Sequence, residues 1–160
     1  MNILIDEHHF IIKCLNREQV NYMLIGGYAV IYYGYERVTG DMDIWLEPSN
    51  ANKVKFIKAL SHFGIDEAGL NQLEQLDFTI PQVFYFGQKP KRIDFLTKVT
   101  GVQFEDAIKK VNIIQFDDLN VPIIHYNQLL ASKTNTGRIK DLADIEELEK
   151  IKKEKDQLGK

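Results

Sequence analysis

Three features of the sequence predict an α/β fold of the α+β kind: a mixed, mostly antiparallel sheet backed by helices, in a single domain. Residues 22–46 read as strand, glycine turn, short helix and second strand. Residues 83–96 read as a β-hairpin, and apolar residues recur at helical spacing towards both ends of the chain. The 160 residues, 44% of them hydrophobic, are enough for one compact core and few for two. The expected unit is therefore 1–160, with 150–160 a solvated helical tail.

Phe10, Ile11, Cys14 and Leu15 give the stretch 6–19 a helical apolar stripe. A strand over Tyr22–Ile25 is broken by Gly26-Gly27, and Tyr28–Tyr33 reads as a short apolar helix closed near Gly34. Asp41–Leu46 forms the next strand. Pro48-Ser49-Asn50 supplies a turn and helix cap, Val54, Phe56, Ile57, Leu60 and Phe63 give the inward side of a helix, and Gly64 closes it. The polar stretch Glu67–Phe78 has helical character and no site. Val83–Phe86 and Ile93–Leu96 flank the turn Gly87-Gln88-Lys89-Pro90 as a hairpin. Phe104, Ala107, Ile108 and Val111 predict a helix, Ile113–Phe116 and Val121–Ile124 extended segments, and Tyr126–Lys133 a helix with Leu129 and Leu130 inward. The last helix begins near Lys140 and carries Leu142, Ile145, Leu148 and Ile151. Its mixed-charge end, 149–156, reads as a solvated, fraying terminus.

A net charge of −3 and a pI of about 5.8 argue against wrapping nucleic acid over a wide surface, while leaving room for a local basic patch. Cys14 is the only cysteine, so an internal disulfide and a cysteine-based zinc site are both excluded. The N-terminal residues lack a basic leader region and no apolar run has membrane-spanning length, which predicts a cytoplasmic protein without membrane contact.

The chemistry concentrates at Asp41-Met42-Asp43. Side chains at i and i+2 of a strand point to one face, about 6.7 Å apart along the backbone, so the two carboxylates converge and repel. A hard cation such as Mg²⁺ relieves that repulsion. Asp94, alone in an apolar strand, needs a partner as well, and the same cation serves if the strands are neighbours. Gly26-Gly27 lets the backbone approach a ligand closely, and the start of the following helix offers N–H groups to an anion such as phosphate. Asp-x-Asp by itself reads as a surface turn or cap, and Gly-Gly by itself as a tight turn; the combination with Asp94 reads as a metal site. An EF-hand is excluded because Leu46 and Asn52 stand where glycine and glutamate are required. A Walker loop is excluded because no Gly-Lys-Ser/Thr follows the glycines.

Gly26-Gly27, then Asp41-Met42-Asp43, then the distant Asp94 together resemble the signature of the nucleotidyltransferase superfamily. Arg37-Val38-Thr39-Gly40-Asp41-Met42-Asp43 is similar to the form seen in the abortive-infection toxin type. The stretch from Leu129 to Lys133 and on through Gly137 to Asp144 resembles that family's lysine helix and Lys-Asp-x-x-Asp element, so the likeness covers roughly residues 22–146. The resemblance implies that Asp41 and Asp43 bind metal, two Mg²⁺ or Mn²⁺ ions in all. It implies that Asp94 completes the site or acts as base for the acceptor hydroxyl. Gly26 and Gly27 would cradle the phosphates of a nucleoside triphosphate, Lys133 would contact the triphosphate, and Arg37 and Thr39 would orient the loop or touch phosphate. Gly27 stands where the family often has serine, which leaves that contact to backbone N–H.

Ordinary helix surface is the competing reading for Lys133. Arg138, Lys140, Asp141 and Asp144 read as a structural charge network, Trp45 as a packing residue on the Asp41 and Asp43 face, and His8, His9, His62 and His125 as scattered residues without a ligand role. The basic turn Lys89-Pro90-Lys91-Arg92 reads as a solvated loop, or as a steering patch for an RNA or other anionic acceptor. The leading expectation is a metal-dependent nucleotidyltransferase that releases pyrophosphate. Its acceptor is a tRNA or protein, as in nucleotidyltransferase toxins, or a small molecule, as in lincosamide-type antibiotic nucleotidyltransferases. The alternative is a non-catalytic nucleotide-binding or regulatory partner in a two-gene toxin–antitoxin-like module. A glycosyltransferase using Asp-x-Asp suits a larger chain.

Overall fold

The computed structural model describes residues 4–37 and 39–159. Val38 of the Arg37–Asp43 motif and the first three residues of the N-terminal stretch lie outside them. In chain order the elements are α1 (Asp6–Arg17), β1 (Tyr22–Ile25), α2 (Gly26–Tyr32), β2 (Asp41–Leu46), α3 (Asn50–Phe63), α4 (Glu67–Glu74), β3 (Val83–Phe86), β4 (Arg92–Leu96), α5 (Phe104–Ile108), β5 (Asn112–Phe116), β6 (Leu119–Ile123), α6 (Tyr126–Thr134) and α7 (Ile139–Gln157). No helix among the described residues is long and apolar enough to cross a membrane.

The six strands form one sheet in the order β3-β4-β2-β1-β6-β5. The pairs β1/β2, β3/β4 and β5/β6 are antiparallel, whereas β2/β4 and β1/β6 are parallel. The predicted mixed, mostly antiparallel sheet is therefore present. Strand alternation sorts the two faces. Met42, Ile44 and Leu46 of β2 and Ile93 and Phe95 of β4 are buried on one face. There α3 covers them, with the ring of Phe56 4.8 Å from that of Phe95. Ser49 caps α3 by accepting from the Asn52 N–H, as the turn composition predicts. The opposite face carries Asp41, Asp43 and Asp94. Trp45 shares its parity but is 1% exposed and packs edge-on to Phe104, so it serves the core.

Two expected stripes are displaced. In α1, Phe10 stays 45% exposed beside Phe63, and Ile12 turns inward with Ile11, Cys14 and Leu15. In α7, Leu142 faces solvent, and the inward line is Asp141, Asp144 and Leu148. Two carboxylates occupy an inner helical face because α6 presents a cation to them. The buried Lys133 ammonium lies 2.9 Å from Asp141 Oδ1 and 2.9 Å from Asp144 Oδ2. Arg37 reaches Asp144 at 3.1 Å, while Thr136 Oγ1 and Arg138 Nε each donate to Asp141 Oδ2 at 2.6 Å. These contacts hold the Asp141 carboxyl near 2: burial pulls it upward, but the Thr136 and Lys133 hydrogen bonds and the Lys133 charge outweigh that pull. The helix also runs on through the mixed-charge stretch to Gln157, and that stretch is largely exposed.

Lys133→Met should lower stability by about 1.5–3 kcal/mol in urea unfolding, because it removes the buried ammonium that bridges Asp141 and Asp144 and leaves each carboxylate with its arginine alone among the charges. A loss under 1 kcal/mol would show that the network does not tie α6 to α7.

Candidate active site

The acidic face is built by register. In the parallel β2/β4 pair, Asp43 stands opposite Asp94, and Asp41 stands opposite Arg92. A slip of one residue would turn Asp94 to the other face; this register brings one carboxylate oxygen of each of Asp41, Asp43 and Asp94 within 4.8 Å of the others. The three acids singled out in the sequence therefore meet.

The glycine pair lies directly beside them. Gly26 takes φ +64°, a left-handed conformation that disfavours side chains, and a Cβ there would collide with the Asp43 carboxylate. At Gly27 a Cβ would lie 2.5 Å from Thr39 Oγ1. These residues do not merely end β1 as a turn. They are the first residues of α2 itself. Thr39 Oγ1 donates to the Asp41 carbonyl at 2.9 Å, so Thr39 fixes the entry to the acid strand.

Charge crowding shows in the titration of the group. Burial first, then the charges of Asp41 and Asp94, push the Asp43 carboxyl up to about 7. Burial and the Asp94 contact also raise Asp41, against the opposing charges of Lys89 and Lys140. Asp94 moves the other way. Burial pulls it upward, but hydrogen bonds with Asp41 and Arg92 prevail and leave it below the usual carboxylate range. Arg92 Nε donates to Asp94 Oδ1 at 2.8 Å while its guanidinium lies 3.9 Å from the centre of the Tyr85 ring.

A cleft of about 340 Å³ opens over the acids, within the range of small-ligand sites. Gly26, Gly27, Arg37, Thr39, Asp41, Asp43, Asp94 and Lys133 all border it, so every site residue read from the sequence reaches one place. Lys133 is not ordinary helix surface: it is 6% exposed, with its ammonium held by Asp141 and Asp144. The basic turn is divided. Lys91 pairs with Glu7 at 3.0 Å and Arg92 with Asp94, whereas the stem of Lys89 lies across Gly40. Lys98 and Thr100 also border the cleft and belong to no motif. Their signal was the alternation Asp94, Leu96, Lys98, Thr100 against buried Phe95, Thr97 and Val99.

No protein-family model matches the chain. No curated protein matches it either. Its backbone is similar to the crystal structure of the lincosamide antibiotic adenylyltransferase LnuA with lincomycin bound, at a TM-score of 0.55 and 18% identity, covering 94% of this chain and 99% of that one. At that identity the likeness is one of fold, and the architecture is nucleotidyltransferase-like.

Two outcomes follow from the crowded acids. Because folding raises the Asp43 carboxyl from 3.8 to about 7, its stabilising contribution is complete below pH 3.8 and is lost as pH rises through 7. In chelator, Asp43→Asn should therefore be more stable than wild type at pH 8, by roughly 2–4 kcal/mol, and the difference should vanish near pH 4. Mg²⁺ should raise the Tm of wild type and leave that of the variant unchanged; parallel pH profiles for the two proteins would contradict the crowding. Gly26→Ala should cost about 1–2 kcal/mol from backbone strain alone and weaken Mn²⁺ binding in calorimetry by displacing the Asp43 carboxylate. Unaltered Mn²⁺ affinity would disconnect the glycine from the acids.

Proposed function

We propose that this chain is a metal-dependent nucleotidyltransferase that moves a nucleoside monophosphate from a nucleoside triphosphate to a hydroxyl of a small-molecule acceptor. The observation that carries the reading is the meeting of Asp41, Asp43 and Asp94 within 4.8 Å beside Gly26, at the cleft.

The residues fit a hard divalent cation. Three carboxylates converge, no His or Cys borders the cleft among the described residues, and the proton drawn onto Asp43 marks where positive charge is needed. Asp41, Asp43 and Asp94 would hold Mg²⁺ or Mn²⁺. Such ions supply neutralisation of phosphate charge and polarisation of oxygen. Gly26 and Gly27 leave the backbone open to the phosphates, and Thr39 and Arg37 fix the loop that carries Asp41. Asp94 would complete the cation site or take the acceptor's hydroxyl proton, and the Arg92 contact that holds it ionised suits the ligand role better than the base role. The acceptor oxygen bonds to the α-phosphorus, the bond from that phosphorus to the β-phosphate oxygen breaks, and pyrophosphate leaves with the electron pair.

A small acceptor is favoured over tRNA for two reasons. The fold is like that of a protein solved with lincomycin bound, which is an analogy of fold. The basic turn also has two of its three cations tied to Glu7 and Asp94. The Arg92–Asp94 pair favours a second reading, a nucleotide-binding protein without turnover, because it already neutralises the third acid.

With Mg²⁺ and labelled nucleoside triphosphates, a panel of hydroxyl-bearing antibiotics should yield a labelled small molecule and pyrophosphate, while cell RNA stays unlabelled. Asp43→Asn should reduce transfer by at least roughly a hundredfold, the scale on which losing transition-state charge stabilisation is felt. Tight Mg²⁺-nucleotide binding without pyrophosphate release for any acceptor would give the second reading its place.

A further inference from the structure

Five cationic side chains border the cleft: Arg37, Lys98, Lys133, Arg138 and Lys140. Three are committed to buried carboxylates. Lys133 holds Asp141 and Asp144, Arg37 holds Asp144, and Arg138 holds Asp141. Drawing Lys133 onto a ligand would break two 2.9 Å contacts to buried carboxylates, leaving Asp144 to Arg37 and Asp141 to Arg138 and Thr136, a cost that a cation without such contacts does not carry. Lys98 and Lys140 differ. Both are exposed, and among the described residues neither side chain has a hydrogen bond or ion pair.

The two lysines rise from different walls of the cleft. Lys98 continues the alternation Asp94, Leu96, Lys98 beyond the end of β4, with Thr97 and Val99 buried on either side of it. It thus leaves the sheet on the acidic side. Lys140 stands in the first turn of α7, next to Asp141, which Lys133, Thr136 and Arg138 fix in place. It is near enough to Asp41 for its charge to be felt there. Two unpaired ammonium groups carried by different elements at the border of one cleft, whose lining includes three carboxylates, suit a ligand that bears several negative charges along its length and meets the acids through a cation.

We propose that Lys98 and Lys140 form a polyphosphate clamp that grips the β- and γ-phosphates of the nucleotide, with Lys133 serving the walls instead of the ligand. This rests on the nucleotidyltransferase reading and moves its phosphate contacts from Lys133 to Lys98, outside the sequence motifs, and to Lys140 of the Lys-Asp-x-x-Asp element. The clamp recognises phosphoanhydride charge, so free tripolyphosphate shares the chemistry of the nucleotide tail. It gives the site a means of preferring triphosphate over monophosphate that the glycine pair alone lacks.

The test is calorimetry on the full chain with Mg²⁺ and three ligands: a non-hydrolysable nucleoside triphosphate, the matching nucleoside monophosphate and inorganic tripolyphosphate. Lys98→Met and Lys140→Met alter exposed side chains, and unchanged Tm values verify their folding. Each should weaken the triphosphate and tripolyphosphate by about tenfold and the pair together by about a hundredfold, with monophosphate affinity within about twofold of wild type. Lys98→Arg and Lys140→Arg should restore most of the loss. Triphosphate binding untouched by either Met substitution, or weakened equally with the monophosphate, overturns the clamp and leaves the nucleotidyltransferase reading standing. Lysine-dependent binding of tripolyphosphate without any binding of nucleotide overturns the nucleotidyltransferase reading and, with it, the clamp as a nucleotide contact. Wild type that binds neither overturns both.

Discussion

Three carboxylates share one face of a sheet at a separation where they cannot all stay ionised without a counter-charge. Most features of the cleft answer that constraint. Asp43 draws a proton, Asp94 takes an arginine, and Gly26 gives up its side chain so that the Asp43 carboxylate has room. A fold maintained only for stability has little reason to place Asp43 opposite Asp94 on adjacent strands, since apolar residues there would pack without the repulsion. The arrangement stores an electrostatic cost at one end of the sheet.

A second cluster, of opposite logic, faces the first. Around Lys133 the charges are mutually satisfied: one ammonium, two carboxylates, two guanidinium groups and a threonine hydroxyl. In the first cluster acids stand in excess and border the cleft; in the second each carboxylate meets two cations, and Lys133, Asp141 and Asp144 are buried. The second cluster anchors the start of α7 to α6 and to the loop before β2. Rigid support of this kind lets a small sheet hold a ligand with defined geometry.

The fold likeness and the acid cluster bear on different questions. Similar backbones at 18% identity speak of architecture. Chemistry is argued from what stands on that architecture, and here the acids, the glycine pair and the cleft coincide. The commitments of the basic residues then bear on ligand choice. Lys91 and Arg92 are spent on the chain's own carboxylates, whereas Lys98 and Lys140 are not.

Much of this was legible in sequence because it depends on local rules. The strands Tyr22–Ile25 and Asp41–Leu46, the Ser49 cap of α3 and the hairpin around Gly87–Pro90 follow from short-range periodicity and turn chemistry, and the structure places them where those rules do. Asp94 was conspicuous as a lone acid in an apolar strand. What local rules could not supply was pairing between distant segments. The apolar residues at Phe10 and Leu142 fit a helical stripe yet face outward, while Asp141 and Asp144 turn inward, because a lysine on another helix reverses the usual preference of charge for water. Lys98 likewise looks like any surface lysine until β4 lies parallel to β2. Sequence determined which groups exist and which side of each strand bears them; only the tertiary register decided which charges meet, since Coulomb energy depends on distances in space that separation along the chain does not fix.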